Sequence, residues 1–288
     1  MKTPRIELNL PADIYRAADG ISKSDLSVFA ECPAKYRAVR LGLIKREPSP
    51  AMQFGTLLHA AVLGGEVEYA VKPDGMSFAS KDGKAWREEQ SGKMIVSQAE
   101  ADEIRRTSSA ILAHRHTDKL FNDGQAEVSM FGSDKATGVL IKGRADWLAK
   151  NYIADIKTIR SADNRECSRA IFKYKYHWQA FYYRELARQN GYDIANFYFV
   201  FVERGQFPLI NVRTISPAAM ELAAIEVGKL LADLKKCCDA GIWHDYSGDG
   251  DEPGEIDLPQ YAYTDLTGAE YFSVPTETMQ PNELDLIP

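Results

Sequence analysis

The sequence predicts an α/β protein in which helices flank a central mixed β-sheet. Three observations carry this expectation. Helix start and stop signals bracket segments in both halves of the chain, three period-two segments crowd between Gln125 and Lys157, and two further strand-like runs follow a helical stretch. With 288 residues, 45% of them apolar and 26% charged, the chain can bury a substantial core.

Taken in order, serines at the start of residues 22–41 can cap a helix, and Cys32-Pro33 divides that stretch into two short ones. After the Pro48-Ser49-Pro50 break a helix is expected over Met52–Leu63; it carries His59, and Gly55 would let another backbone come close. Residues 64–94, rich in Gly, Lys and Glu, read as loops. Ser97 and Glu100 form a capping box that opens a helix reaching about His114. The strands Ala126–Phe131, Val139–Leu148 and Tyr152–Lys157 then form a meander with turns at Asp134–Gly138 and Lys150-Asn151. One helix is expected over Arg169–Gln189, stopped by Gly191, before strands at Phe197–Val202 and Leu209–Ile215. Ser216, Pro217 and Gly241 bracket a long helix whose apolar stripe includes Leu222, Ile225 and Leu230.

The formal net charge is -6, but it is unevenly spread. Eleven acids and no Lys or Arg follow His244, so residues 1–244, with 35 cations against 30 acids, carry +5. These 244 residues are read as the folded domain, and residues 245–288 as an acidic tail expected to be mobile. A mildly basic body is compatible with a polyanionic partner without requiring one. No run of about 18 apolar residues occurs, and the N-terminal stretch lacks the apolar core of a signal peptide, so a cytoplasmic protein is expected. Cys32, Cys167, Cys237 and Cys238 are too few and too scattered for a disulfide framework and are read as reduced thiols.

The informative stretch is GRADWLAKNYIADIKT, residues 143–158. Asp155 and Lys157 are two apart on an expected strand, so they leave the same face while Ile156 points into the core. Asp146 comes from the preceding strand across a short turn. Two carboxylates and an ammonium at one sheet edge could hold a hard cation and a water against a phosphate; they could equally be the solvated cross-strand charges of an ordinary hairpin.

Five segments in order extend this pattern: Gly55 to His59 as G-x-x-x-H, Glu127 in AEVSMF, Asp146 in GRAD, Asp155 and Lys157 in ADIKT, and Gln179 to Tyr183 as Q-x-x-x-Y. Over roughly residues 20–240 the chain resembles the RecB-like branch of the PD-(D/E)xK nucleases, most closely the exonuclease VIII (RecE) C-terminal domain and its phage relatives. The resemblance implies a restriction-endonuclease-like core and a magnesium-dependent exodeoxyribonuclease, with manganese able to substitute. It implies that Asp146, Asp155 and the Ile156 carbonyl hold the metal with His59, and that Glu127 approaches this metal, a second one or a bound water. Lys157 would orient the attacking water or stabilise charge on the phosphate. Gln179 and Tyr183, four apart on one helical face, would contact the DNA backbone or position Lys157. Arg144 is read as a phosphate contact or as a surface partner for an acid.

The resemblance further implies attack on linear double-stranded DNA from an end, 5′ to 3′, by a ring-shaped homo-oligomer that supplies single strands to an annealing protein in phage-type recombination. Some relatives carry an iron-sulfur cluster on four cysteines; adjacent Cys237-Cys238 and distant Cys167 lack the compact thiolate set, so none is expected here. His114, His116 and Asp118 are read as surface residues and not as a zinc site. Two other readings stay open: a nuclease of the same chemistry acting on single-stranded or flapped DNA, and an inert DNA-binding or decoy module.

Overall fold

The period-two segments form the middle of a six-stranded mixed sheet in the computed structural model, which describes residues 3–45, 49–65, 67–247 and 254–259. Along the chain run β1 (Arg5–Glu7), α1 (Ala12–Ala17), α2 (Lys23–Glu31), α3 (Pro33–Arg40), α4 (Pro50–Leu63), β2 (Tyr69–Val71), α5 (Lys81–Glu89), β3 (Met94–Val96) and α6 (Gln98–Ala113). They are followed by β4 (Gln125–Ser133), β5 (Leu140–Leu148), β6 (Tyr152–Ile159), α7 (Asn164–Lys173), α8 (Tyr176–Gln189), β7 (Asn196–Glu203), β8 (Ile210–Thr214) and α9 (Pro217–Ala240). The large sheet has the order β1-β4-β5-β6-β7-β8. Its neighbours are antiparallel except β6 and β7, which run parallel because α7 and α8 carry the chain over the sheet between them.

Both faces of the sheet are buried. In β7, Phe197, Phe199 and Phe201 enter a core shared with Leu186 and Ala187 of α8 and Val227 and Leu231 of α9. Val200 and Val202 alternate to the other face, where Ile156 of β6 meets Phe54, Leu57 and Leu58 of α4 and Ile104 and Ile111 of α6. Each large side chain buried this way stabilises the fold by about 1.5–3 kcal/mol, so the two layers hold the sheet rigidly between them.

The helix-start signals act as the sequence predicts, and at Ser22 the structure adds a capping box that the sequence reading did not name. Ser22 pairs with Asp25 at the start of α2, and Ser97 with Glu100 at the start of α6, while Gly241 closes α9 at φ 71°. Cys32, which is buried, ends α2 and caps α3. Other expectations are corrected. The stretch 64–94 contains the strand β2, the helix α5 and the first residue of β3, which pairs parallel with β2, elements too short to show a period. The expected helix over Arg169–Gln189 is two helices, broken where Lys175 takes φ 55°. On α9 the buried face is Met220, Ala223, Val227, Leu231 and Leu234, whereas Leu222 and Ile225 are exposed. Nothing lies within 4 Å of a Cβ built on Gly55, so no backbone approaches there.

The residues divide into two compact units, Met1–Asp245 and Tyr246–Pro288. In the second unit residues 254–259 carry no helix or strand, and most of the acidic tail lies outside the described residues. No described helix is long and apolar enough to cross a membrane.

Candidate active site

β5 and β6 pair only at their closed end, through Trp147 with Ala154 and Leu148 with Ile153, and then part. Asp146 stands where the ladder stops. Its Oδ2 accepts the Ile156 N–H at 2.8 Å, so a side chain replaces the missing strand partner and the backbone group stays satisfied. The Ile156 carbonyl lies 3.0 Å from His59 Nε2, reached from α4 across the sheet. A carbonyl only accepts, so Nε2 carries the proton in that bond. In the neutral imidazole this leaves the Nδ1 lone pair facing Asp146 Oδ2, 3.5 Å away.

Glu127 sits opposite Asp146 in the β4–β5 register, between the pairs Ala126–Trp147 and Val128–Ala145. Its φ of 51° is left-handed, a conformation that costs a residue with a Cβ about 1 kcal/mol or more and that clusters at functional sites. Burial, then the charge of Asp146, raises its carboxyl above the usual range. One ligand atom from each of His59, Glu127 and Asp146 falls within 4.8 Å of the others. Two carboxylates and an imidazole oriented by a backbone carbonyl are a donor set that suits a divalent cation of the magnesium or manganese kind. The residues fit a metal.

Arg144 lies beside an acid, as one of its two sequence readings has it, but is largely buried and not on the surface. Its Nη1 lies 3.8 Å from Glu127 Oε2, while Nε donates to Ser129 Oγ at 3.0 Å and Nη2 to the Leu10 carbonyl at 2.6 Å. It is therefore held by Ser129 and Leu10 within ion-pair reach of Glu127.

Asp155 is fully buried, and its carboxylate is engaged by Lys157 through one oxygen and by the Gln179 amide through the other. In this arrangement it stands beside the three-residue group, not inside it. Burial and the Asp146 charge push its pKa up to about 6, against the opposing pull of Lys157. Burial pulls the Lys157 ammonium down, but Asp155 and Asp146 outweigh it, so its net shift is upward and it stays charged. Gln179 thus faces the site. Tyr183, its partner in the motif, lies with its ring against Gly143 and Phe197, where it seats α8 on the sheet, and burial, then Tyr15 and the charges of Asp155 and Asp146, raise its hydroxyl above the ordinary range.

Two residues that the sequence reading missed complete the site. Tyr176 has the Lys157 ammonium 4.8 Å from its ring and the Lys23 ammonium 5.6 Å from it. Burial, then the neighbouring Lys157, lowers Lys23 to about 8. The serine-rich segment at residue 22 pointed to a helix start but gave no reason to single out this lysine.

A cleft of about 1270 Å³ opens on the group through His59, Ile156 and Lys157. Its walls carry Arg160, Arg169, Lys173 and Arg204 against Glu103 and Glu166. These acids are already paired, Glu103 with Arg204 and Glu166 with Arg169. The surplus of cations makes the cleft attractive to a polyanion.

Residues 22–252 match the family model described as a PDDEXK-like domain of unknown function (DUF3799). No curated protein matches the chain. Among solved structures, a "putative exonuclease" from Eubacterium rectale superposes with a TM-score of 0.63 at 16% identity, covering 91% of this chain and 99% of that one, a likeness of fold. The structure of SSO0001 aligns with a TM-score of only 0.26 at 15% identity, covering 72% of this chain and 83% of that one. With its splayed strands, their carboxylates and lysine, and a family match over most of its length, the chain belongs to the PDDEXK-like DUF3799 family of the PD-(D/E)xK nuclease superfamily.

Proposed function

We propose that the protein is a divalent-metal-dependent deoxyribonuclease that hydrolyses phosphodiester bonds of linear double-stranded DNA from an end. The observation that carries this reading is the meeting of His59, Glu127 and Asp146, with His59 and the charged Lys157 lining a basic cleft. A magnesium or manganese ion held by those three residues would polarise the scissile phosphate and lower the pKa of a bound water. Lys157, kept protonated by Asp155 and Asp146, stabilises the negative charge that grows on the phosphate oxygens as the water oxygen bonds to phosphorus and an ester P–O bond breaks. Gln179 fixes the rotamer of Asp155, and Asp155 in turn fixes Lys157.

The finer parts of the reading rest on the resemblance to the exonuclease VIII group. They are 5′ to 3′ direction, a ring-shaped homo-oligomer that engages DNA ends, and delivery of single strands to an annealing protein in phage-type recombination. The likeness of fold to the protein described as an exonuclease is consistent with attack from an end.

The test incubates the purified chain with linear, nicked and closed circular duplex in magnesium, manganese, calcium or EDTA. Linear DNA should be degraded with magnesium or manganese, calcium should bind without turnover because its looser coordination positions the water poorly, and closed circles should survive. Equal cutting of closed circles would refute end dependence and leave a nuclease. Intact linear DNA in every metal would refute the enzyme and favour an inert binding module.

A further inference from the structure

One wall of the cleft is formed by Lys173, Tyr174 and Tyr176 at the junction between α7 and α8, where the run Phe172-Lys173-Tyr174-Lys175-Tyr176 alternates rings with ammonium groups. Tyr174 lines the cleft with its side of the junction and is 50% exposed, in contrast to the buried phenylalanines of β7 beneath it. Its backbone is held from two sides: the N–H donates to the Ala170 carbonyl at 2.9 Å, and the carbonyl accepts from Lys23 Nζ at 2.5 Å. The next residue, Lys175, takes a left-handed φ of 55° that a residue with a Cβ adopts only when its surroundings impose it. The junction is built to keep Tyr174 in place.

The Tyr174 ring stands on Tyr176, centroid to centroid 5.6 Å at 35°. Tyr176 is itself packed on Phe199 at 6.0 Å and Phe201 at 6.5 Å, and its ring is the one that Lys157 approaches. A half-exposed aromatic ring, with the Lys173 ammonium 5.3 Å from its centroid, is thereby carried on an anchored ring that adjoins the Lys157 ammonium. Lys173, Arg169 and Arg160 line the same cleft and match the charge of a phosphate backbone. A flat apolar face beside phosphate-binding cations fits a nucleobase that is free to stack, and a base inside a duplex has no free face to offer.

We infer that Tyr174 is a stacking platform for an unpaired nucleobase next to the scissile phosphate, so the α7–α8 junction engages the frayed or single-stranded end of the DNA. The inference rests on the nuclease reading and adds to it the form in which the substrate end is held. Tyr176 serves as the base of the platform and as a positioning residue for Lys157.

The test uses the full chain in EDTA with an oligonucleotide carrying 2-aminopurine at one end, either single-stranded or in a blunt duplex, and compares the parent with Tyr174→Ala, Tyr174→Phe and Phe172→Ala. Phe172 is exposed but does not line the cleft. Stacking quenches 2-aminopurine. Parent, Tyr174→Phe and Phe172→Ala should quench the single strand, and Tyr174→Ala should lose the quenching and bind the single strand about 5- to 100-fold more weakly, as loss of one stacked base predicts. Duplex affinity should change less than about 2-fold, because phosphate contacts dominate it. Quenching and affinity retained in Tyr174→Ala, in a parent that cuts linear DNA, would overturn the platform. A parent that quenches but cuts no DNA with magnesium or manganese would overturn the nuclease reading and leave the platform standing, and a parent that does neither would overturn both.

Discussion

The carboxylate of Asp146 takes the place of a strand partner for the Ile156 N–H, at 2.8 Å, at the point where β5 and β6 part. One side chain thus ends the ladder, satisfies the freed backbone and stands 3.5 Å from His59 Nδ1 through the same oxygen. Asp146→Asn keeps an oxygen that can accept the Ile156 N–H, so we expect the fold to lose no more than about 1 kcal/mol while cleavage and manganese affinity collapse. Asp146→Ala also strands that N–H and should cost about 1–3 kcal/mol more. Calorimetric manganese titration and urea unfolding of both variants check this; a wild-type manganese affinity in Asp146→Asn would remove it from the metal site.

Lys157→Ala should reduce turnover by about 10²-fold or more through loss of transition-state charge stabilisation. It should also destabilise, because Asp155 is fully buried and loses its opposing ammonium. The sign follows from the raised carboxyl. A folded-state pKa above the unfolded value gives stability that is complete below pH 4 and is lost as pH rises through the folded pKa, which Lys157→Ala moves above its present value of about 6. Denaturation at pH 5 and pH 8 should show the larger deficit at pH 8, up to about 3 kcal/mol. A deficit independent of pH would contradict the buried pair.

Metal binding should release protons. Glu127 and Asp155 both titrate above the ordinary carboxylate range, and a cation favours their ionised forms. Manganese affinity is therefore expected to rise about tenfold or more between pH 5 and pH 7.5. Titration in buffers of different ionisation enthalpy reads the proton count directly. In Asp155→Asn the count should fall, and an unchanged count would place the proton elsewhere.

Glu127→Gly should trade function for stability. Glycine takes φ 51° without strain and removes a carboxylate from beside Asp146, so the thermal midpoint should rise by about 2–4 °C, the equivalent of about 1 kcal/mol in a domain of this size, while cleavage is lost. Glu127→Gln, which keeps the strain, should lose cleavage without that rise. A lower midpoint for Glu127→Gly would argue that its side chain supports the fold.

Gly143→Ala should act on the site at a distance. The added Cβ would lie 2.7 Å from the Tyr183 ring and 2.9 Å from Leu186, both on α8, which carries Gln179. Overpacking here is expected to cost about 1–3 kcal/mol and to lower turnover by displacing Gln179 from Asp155. Unfolding and steady-state cleavage measured together test the link; wild-type turnover in a destabilised variant would uncouple Gln179 from the chemistry.

The sequence by itself determined what is local. Period-two alternation placed β4, β5 and β6 and put Asp155 and Lys157 on one face, because successive side chains of a strand leave opposite sides whatever packs around them. The capping serine at 22, the capping box at Ser97 and the glycine at 241 fixed helix ends through hydrogen bonds that span three or four residues. Tertiary structure decided the rest. α1 has its last carbonyls bound by Lys142 Nζ, from residues 15, 16 and 18, across more than a hundred positions of sequence. α9 exposes Ile225 because the side of a long helix that is buried depends on where α2 and α8 stand, not on its own composition. The left-handed backbone of Glu127 and of Lys175, the splaying of β5 from β6, and the stacking of Lys23, Tyr176 and Lys157 are likewise products of packing. Each arrangement is unfavourable or unspecified for the segment alone, and only contacts from distant elements supply the energy that selects it.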